Sequence, residues 1–346
     1  MTRRILVIGA GGISKRHLRG LTETGRAELA IAEPDAAKRQ AMAAAWNVET
    51  TYATADEAPL AAFDGALICA PAHVHIPLTR LCLEAGVPVL LEKPLSVTWA
   101  GVQELLALQV STGVEVRVAY VRRSDPVLEA ARARLLAGDI GELRLCHVNS
   151  SQEFPKYRPD YRETYYARAE MGGGALLDAA SHWIDAMQWT VGRITEVGCM
   201  YDHLQLPGVT VEDTALMSLR FAGGQMGQLM INQFQKPAID QAEWVGTAGN
   251  LRQSRDGALA VARDDSDQWL RQDLSDGLSP DDTNARRFRR QASYFLDLLD
   301  GEEVHLTTLK EAADNLHTVL AAKAAYREKR IITLAEWDPI KDSHDA

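Results

Sequence analysis

Residues 85–94 read Ala-Gly-Val-Pro-Val-Leu-Leu-Glu-Lys-Pro, an apolar run that ends in an acid, a lysine and a proline. An apolar run this short is typical of a strand buried on both faces of a parallel sheet. An unpaired charge is very costly in a core, but the carboxyl edge of such a sheet is where ligands bind. Pro94 ends the strand and limits the conformations of Lys93. The stretch therefore predicts a parallel sheet with Glu92 and Lys93 at its ligand-binding edge, and Lys93 is a candidate catalytic residue.

Strand and helix patterns alternate through the first third of the chain. The predicted strands span residues 4–8, 27–32, 65–69, 87–91 and 114–120, with a weaker one at 48–52. The predicted helices span residues 13–23, 36–46, 74–84 and 99–110. Repeated strand–helix units predict a doubly wound parallel sheet, which we assign to a domain at 1–121.

The sequence pattern changes after residue 121. Period-2 segments follow one another without helical patterns between them, at residues 214–221, 225–235, 243–245, 258–262 and 269–273. Such a succession predicts an antiparallel sheet. Helical patterns at 285–299 and 309–327 close the chain. Residues 122–346 are therefore predicted to form a second α/β domain with a large, mainly antiparallel sheet.

Composition excludes several classes of protein. The chain has 346 residues, of which 46% are hydrophobic and 24% charged, as in an ordinary globular protein. A net charge of -10 argues against nucleic acid or an anionic membrane as a general partner. The four cysteines show no CxxC spacing, and no apolar stretch reaches the length of a signal peptide core or a membrane span. We expect a soluble, cytoplasmic protein.

A glycine-rich turn, residues 9–14, follows the first predicted strand and opens the first predicted helix. Gly9 permits a tight turn, and Gly11 lets the backbone approach a pyrophosphate at the helix N-terminus. Ser14 stands where the third glycine of the dinucleotide motif is usual, and it is small enough for close helix–strand packing. A turn of this kind also occurs in Rossmann-like domains that bind nothing, so the alternative stays open here.

The second predicted strand ends at Glu33, 22 residues beyond Gly11. An acid at this place binds both ribose hydroxyls of NAD and repels the 2′-phosphate of NADP. NAD is therefore the predicted cofactor. Lys38 and Arg39 lie close by in sequence and leave NADP as the alternative.

The segment Cys69-Ala70-Pro71-Ala72-His73-Val74-His75 ends the next strong strand at the same sheet edge. Two histidines invite a metal interpretation. However, at a strand-to-helix junction they point in different directions, and no third ligand lies nearby in sequence. We predict that this segment binds no metal. We expect a loop that contacts the nicotinamide half of the cofactor, with one of the two histidines capping a helix or packing.

Three consecutive glycines, residues 172–174, precede a predicted helix that carries Asp178, His182 and Asp185. In an α-helix these three side chains share one face. A carboxylate beside an imidazole is a standard arrangement for a proton donor or acceptor. The alternatives are an ordinary surface pair on an amphipathic helix, or a zinc site without its usual companion ligands. The glycines favour the functional interpretation, because such flexibility is costly unless something must approach the backbone closely.

Taken together, these motifs resemble those of the glucose–fructose oxidoreductase/inositol dehydrogenase/MocA family of pyridine-nucleotide oxidoreductases. The resemblance covers nearly the whole chain. The motifs, in chain order, are Gly9-x-Gly11-x-x-Ser14, Ala70-Pro71-x-x-x-His75, the run 85–95, Arg122-Arg123-x-Asp125-Pro126 and Gly172-Gly173-Gly174-x-x-x-Asp178-x-x-x-His182-x-x-Asp185. One departure is Ala70-Pro71-Ala72, where many relatives have Thr-Pro-Asn.

The resemblance implies an N-terminal Rossmann domain and a C-terminal sheet that often forms a homodimer or homotetramer interface. It implies oxidation of a secondary alcohol of a sugar or polyol, or reduction of the matching ketone. By position, Lys93 resembles the lysine that hydrogen-bonds the reacting hydroxyl, His182 the main acid/base, and Asp178 its partner. The residues predicted to bind the cofactor are Gly9, Gly11, Gly12, Ile13, Ser14, Glu33, Ala70, Pro71, His75, Glu92 and Lys93.

The predicted substrate contacts add a polar and aromatic set to Lys93, Asp178 and His182. Its members are Arg122, Arg123, Tyr161 and Tyr165. Planar arginines suit hydroxyl pairs or a carboxylate. The alternative for residues 155–168 is an arm that packs on a neighbouring subunit.

Two other classes of function stay open. One is a non-catalytic, NAD-binding regulator, since a fold does not fix a function. The other is a glycosidase or lyase that retains NAD. The presence of Lys93, Asp178 and His182 together favours the dehydrogenase.

Overall fold

The computed structural model describes residues 2–263, 266 and 268–342. The chain divides into two compact units. The first comprises Met1–Ser124 and Ser279–Ala313, and the second comprises Asp125–Leu278 and Asp314–Ala346. No helix within the described ranges is both long and apolar enough to cross a membrane.

The elements are numbered in chain order. The strands are β1 (Arg3–Ile8), β2 (Ala27–Ala32), β3 (Thr50–Tyr52), β4 (Gly65–Ile68), β5 (Val89–Leu91), β6 (Val116–Val118), β7 (Leu143–Glu153), β8 (Ile194–Asp202), β9 (Thr214–Phe221), β10 (Met226–Asn232), β11 (Phe234–Gly246), β12 (Gly249–Gln253), β13 (Ala258–Arg263), β14 (Leu270–Asp273), β15 (Thr307–Thr308) and β16 (Ile332–Thr333). The α-helices are α1 (Gly12–Thr24), α2 (Ala36–Trp46), α3 (His75–Glu84), α4 (Val102–Thr112), α5 (Pro126–Leu136), α6 (Phe154–Tyr157), α7 (Ser181–Thr190), α8 (Pro280–Leu299), α9 (Leu309–Glu328) and α10 (Pro339–Asp342). A π-helix, Ala175–Ala180, leads directly into α7.

The first unit is built on a seven-stranded sheet in the order β15-β6-β5-β4-β1-β2-β3. Strands β1 to β6 are parallel, and β15 joins β6 antiparallel. The central strands are buried throughout, as parallel strands covered on both faces must be. The predicted doubly wound parallel sheet is confirmed. Strands β2 and β3 lie on one side of β1, and β4 to β6 lie on the other. The carboxyl ends of β1 and β4 are therefore at a topological switch point.

Helix α8 belongs to the first unit, whereas the predicted boundary between residues 121 and 122 placed it in the second domain. It packs on α1 so closely that a Cβ atom on Gly20 would lie 2.8 Å from the Phe288 carbonyl oxygen. Arg3 and Arg26 also form ion pairs with Asp300 at the end of α8. An amphipathic helix pattern shows that one face is buried, but it does not show which sheet covers that face.

The second unit is built on a nine-stranded sheet in the order β14-β13-β12-β11-β7-β10-β9-β8-β16. Only the β7–β10 pair among the described strands of this second sheet is parallel, so the predicted mainly antiparallel sheet is confirmed. Strand β11 is much longer than the predicted 243–245, and its register on β7 shifts between Phe234 and Ile239. A shift of this kind disrupts the period-2 pattern by which strands are recognised.

We expect Gly20→Ala to lower the free energy of unfolding by about 1–3 kcal/mol, because the methyl group collides with the backbone of α8. Gly12→Ala is the matched control on the same helix, since no atom lies within 4 Å of a Cβ there. It should leave the free energy of unfolding within about 1 kcal/mol of the parent value. Urea unfolding without cofactor measures both. Equal effects would show that the α1–α8 contact does not govern stability.

Candidate functional site

The glycine-rich turn between β1 and α1 has one position that only glycine fits. Gly9 has a φ of +102°, and a Cβ atom there would lie 2.9 Å from the backbone of Cys69 and Ala70. The chain after β1 therefore passes directly against the chain after β4. Gly9 has the predicted role of making the tight turn.

Gly11 and Gly12 leave the N-terminus of α1 open. No atom lies within 4 Å of a Cβ at either position, and no side chain caps the helix. Ile13 packs against the core, and the buried Ser14 hydroxyl donates to the Gly9 carbonyl at 2.8 Å, which closes the turn from inside. The N–H groups and the positive end of the helix dipole are thus not covered by a capping side chain. This cradle fits the pyrophosphate of a dinucleotide.

Glu33 lies at the end of β2, beside the same turn. Its carboxylate accepts hydrogen bonds from the N–H groups of Ala10, at 2.8 Å, and Asp35, at 3.0 Å. A carboxylate has about four acceptor sites, so the predicted ribose hydroxyls can still donate to it. Of the two basic residues that favoured NADP, Lys38 lies 3.7 Å from Asp35, and the Arg39 guanidinium donates to the Glu33 carbonyl.

Glu92 and Lys93 follow β5, at the carboxyl edge where they were predicted. The Glu92 carboxylate is turned inward: one oxygen lies 2.6 Å from Nε2 of His17, and the other accepts the Lys93 N–H at 3.0 Å. The Lys93 side chain is half-buried. Glu92 was predicted as a cofactor contact, but these bonds favour a role in holding the turn that carries Lys93.

His75 is also directed into the protein. Its Nδ1 lies 2.8 Å from the Pro94 carbonyl oxygen and its Nε2 lies 2.8 Å from that of Ala70. Burial lowers the pKa of His75 below its ordinary value, against the opposing effect of the two carbonyls. The ring therefore joins the loop after β4, with its exposed Pro71, to the turn after β5. This is the packing role predicted for one histidine of the pair, and it favours an indirect contribution to cofactor binding.

The described residues include no group of three or more His, Cys, Asp and Glu side chains that could hold a metal ion.

Two of the three consecutive glycines in the second unit, Gly173 and Gly174, are required by the protein's own packing. A Cβ atom on Gly173 would lie 2.1 Å from the Tyr166 carbonyl oxygen. Gly174 has a φ of +98°, and a Cβ atom there would lie 2.5 Å from the Glu212 carboxylate. Glu212 also accepts the Leu176 N–H with that carboxylate at 3.1 Å. Other groups do approach the backbone closely at these glycines, as predicted. They are the Tyr166 carbonyl and the Glu212 carboxylate of this chain, not a ligand.

The helix that carries Asp178 and His182 is not a regular α-helix. Asp178 lies in the π-helix Ala175–Ala180, whereas His182 lies in the first turn of α7. The prediction assumed a regular α-helix, which the chain does not form between Asp178 and His182, and Asp185 is buried. The Tyr165 hydroxyl donates to Asp178 at 2.8 Å, which brings two predicted substrate residues together. Local π geometry is frequent at functional sites.

The other predicted substrate contacts are less accessible. Tyr161 is buried, and its hydroxyl donates to the Pro207 carbonyl at 2.7 Å. Arg123 is buried in the first unit, 3.0 Å from Glu311, and Arg122 is half-buried on the same short 3₁₀ turn. Burial favours packing roles for Tyr161 and Arg123.

The arm at residues 155–168 contributes to a small core within the second unit. The buried members of that core are Phe154, Tyr161, Tyr166, Leu206, Val209 and Val211.

Two residues in these arrangements were not singled out from the sequence. His17 pairs with a residue 75 positions away, and its one signal was a polar residue among the buried positions Ser14, Leu18 and Leu21 of α1. Glu212 precedes a strand, where an acid is unremarkable. No local pattern connects either residue to its partner.

Comparison with known proteins agrees with this geometry. The model described as "Oxidoreductase family, NAD-binding Rossmann fold" matches residues 3–120, and the one described as "GFO/IDH/MocA C-terminal domain" matches residues 128–252. Myo-inositol dehydrogenase Hyg17 of Streptomyces leeuwenhoekii is 28% identical over 261 residues, which span 74% of this chain and 78% of that protein. Rhizopine catabolism protein MocA of Rhizobium meliloti is 33% identical over 56% of this chain and 59% of its own length.

Solved structures share the fold over almost the whole chain. Levoglucosan dehydrogenase, in complex with NADH and levoglucosan, has a TM-score of 0.87 at 18% identity and covers 97% of this chain and 100% of its own. An oxidoreductase from Agrobacterium radiobacter, in complex with NAD+, L-tartaric acid and magnesium, has a TM-score of 0.85 at 18% identity and covers 97% and 99%. With both of its domains matched by models of one family, the chain belongs to the GFO/IDH/MocA family of oxidoreductases and carries its NAD-binding Rossmann domain.

Proposed function

We propose that this protein is an NAD-dependent dehydrogenase that transfers a hydride between nicotinamide and a secondary alcohol of a sugar, a polyol or a sugar derivative. The observation that carries the proposal is the first unit's sheet edge. There an open helix N-terminus, the acid Glu33 and the lysine Lys93 follow strands of one parallel sheet. The names of the relatives, among them inositol dehydrogenases, support a polyol substrate.

Bound NAD supplies the hydride acceptor for this chemistry. The residues that would hold it are those of the open turn, Gly11 and Gly12, together with Glu33. The Lys93 ammonium hydrogen-bonds the reacting hydroxyl and stabilises the negative charge that develops on its oxygen. His182 takes the proton, and Asp178 stabilises the resulting imidazolium. Tyr165 holds the Asp178 carboxylate in place through its hydroxyl.

A substrate screen tests the proposed function directly. Aldoses, inositols, sugar acids and nucleotide sugars are supplied with NAD+ or NADP+, and NADH or NADPH formation is followed by absorbance. We expect turnover of at least one class with NAD+. Cofactor binding without turnover would identify the non-catalytic regulator instead. Bond cleavage in a glycoside without net NADH formation would identify the glycosidase or lyase that retains NAD.

We expect Lys93→Met to lower kcat by about 100-fold or more, because it removes the charge that stabilises the developing alkoxide. NADH affinity, measured by fluorescence, should stay close to the parent value. Lys310→Met on α9 is the control for loss of a lysine charge at an exposed position. A fully active Lys93→Met enzyme would contradict the role given to Lys93.

We expect Glu33→Ala to lower the preference for NAD over NADP, expressed as a ratio of kcat/KM values, by about 10-fold or more. Because Glu33 also holds the Ala10 N–H, the KM for NAD should rise as well. Asp35→Asn is the matched control: it removes one negative charge nearby and leaves a side chain that caps α2. An equal change in preference for both variants would assign selectivity to net charge and not to Glu33.

We propose a homo-oligomer that forms through the sheet of the second unit, in the cytoplasm. The support is an apolar patch across strands β8 to β10, where Met200 and Leu216 are 61% and 37% exposed and the half-buried Met230 lies opposite Leu216. Met200 lies opposite Leu216 in the sheet register. Apolar groups clustered in this way are typical of an interface.

Leu216→Lys should reduce the molar mass measured by light scattering to that of a smaller assembly, because it places a charge in the patch. Val110→Lys is the control, since Val110 is exposed on α4 in the first unit. A monomeric parent protein would contradict the oligomer, and an unchanged mass for Leu216→Lys would place the interface elsewhere.

A further inference from the structure

The side chains of His17 and Glu92 form a buried pair beneath the turn that carries Lys93. They are 1% and 5% exposed, and Nε2 of His17 lies 2.6 Å from Oε1 of Glu92. The second oxygen of Glu92 accepts the Lys93 N–H. Because a carboxylate accepts at both oxygens, His17 is the donor of the short bond. The main chain of Lys93 is thus linked through one carboxylate to an imidazole on α1.

The imidazole has little freedom to move. The edge of Phe288 on α8 meets its ring at a centroid distance of 5.0 Å and an angle of 87°. Phe288 is buried, and α8 lies directly on α1 at Gly20. The position of the ring is therefore fixed by the packing of two helices of the first unit.

The same helix carries the open turn at its first residues. His17 lies five residues after Gly12, the first residue of α1, which is about 7.5 Å along a rigid helix. The helix N-terminus that would hold the pyrophosphate and the imidazole that holds Glu92 are therefore parts of one rigid body. The Glu92 side chain thus links α1 to the Lys93 main chain.

We propose that His17 is a positioning residue for Lys93: it holds the Glu92 carboxylate and so fixes the Lys93 main chain relative to the nucleotide-binding turn. The inference rests on the proposed function, in which Lys93 is the catalytic residue. A buried polar pair is weak evidence for stability alone, since apolar pairs of similar volume often replace such pairs at no loss. Placement of a reacting group is the better explanation, because a misplacement of about 1 Å costs about 100-fold in rate.

His17→Leu and His17→Gln give the first comparison, with the substrate found in the screen. The leucine variant lacks a donor, so we expect kcat to fall by about 10- to 100-fold while the Kd of NADH changes by less than about threefold. The glutamine amide can donate to Glu92 and should recover part of the lost kcat. A kcat of His17→Leu within about twofold of the parent would overturn the proposal, as would an equal loss of NADH affinity.

A double variant tests whether the pair acts as one unit. His17→Leu combined with Glu92→Gln should lose no more kcat than the worse single variant, because each change breaks the same linkage. Losses that multiply would show that the two residues act independently, and that result also overturns the proposal.

A second measurement does not depend on any sugar. Lys93 is the sole lysine of the tryptic peptide 81–117, because the Lys93-Pro94 bond resists trypsin. Its acetylation rate, relative to that of the exposed Lys156, reports on the environment of the amine. We expect His17→Leu to change this ratio by about threefold, and His17→Gln to restore it in part.

This labelling keeps the two proposals distinguishable. If no sugar or polyol is turned over, the proposed function fails, while an altered Lys93 ratio still supports the positioning role of His17. If His17→Leu does not fold, the Lys93 acetylation ratio of Glu92→Gln is compared with that of the parent instead. An unchanged ratio in the folded variant overturns the inference.

Discussion

A parallel strand that is covered on both faces has room for polar groups only where it ends, and the first unit follows from this constraint. The glycine turn follows β1, Glu33 follows β2, the loop with Ala70 follows β4, and Glu92 follows β5. Because the strands are parallel, these four ends lie along one edge of the sheet. The polar and charged groups lie at this edge because burying them unpaired in the interior would be costly. The position of the candidate site thus follows from the parallel arrangement of the strands.

The features that could be predicted from sequence are those set by local pattern. The strand and helix alternation of the first unit, the role of Gly9 and the mainly antiparallel second sheet depend on periodicity and on glycine, which neighbouring residues reveal. The position of Lys93 at a strand end is of the same kind. Such features depend on a few consecutive residues, so a single sequence is sufficient to find them.

The features that were missed depend on contacts between distant residues. His17 meets Glu92 across 75 positions, and Glu212 meets the backbone at Leu176 across 36 positions. The π-helix that carries Asp178 begins where Glu212 binds the Leu176 N–H, and an α-helical wheel cannot anticipate it. The glycine run correctly predicted a close approach, which occurs at Gly173 and Gly174, but only the fold shows that the approaching groups are Tyr166 and Glu212.

The chain comes back to the first unit at α8, and this limits how one unit can be replaced by protein engineering. The chain passes between the units at three places, after Ser124, after Leu278 and after Ala313. A fragment that ended at residue 121 would lack Phe295 and Leu296, which are buried in the core of the first unit, and would leave the groove at Gly20 uncovered. A chimera that replaces the second unit while keeping the first therefore needs three splice junctions. The larger part of the second unit, Asp125–Leu278, is an insertion between the two segments of the first unit.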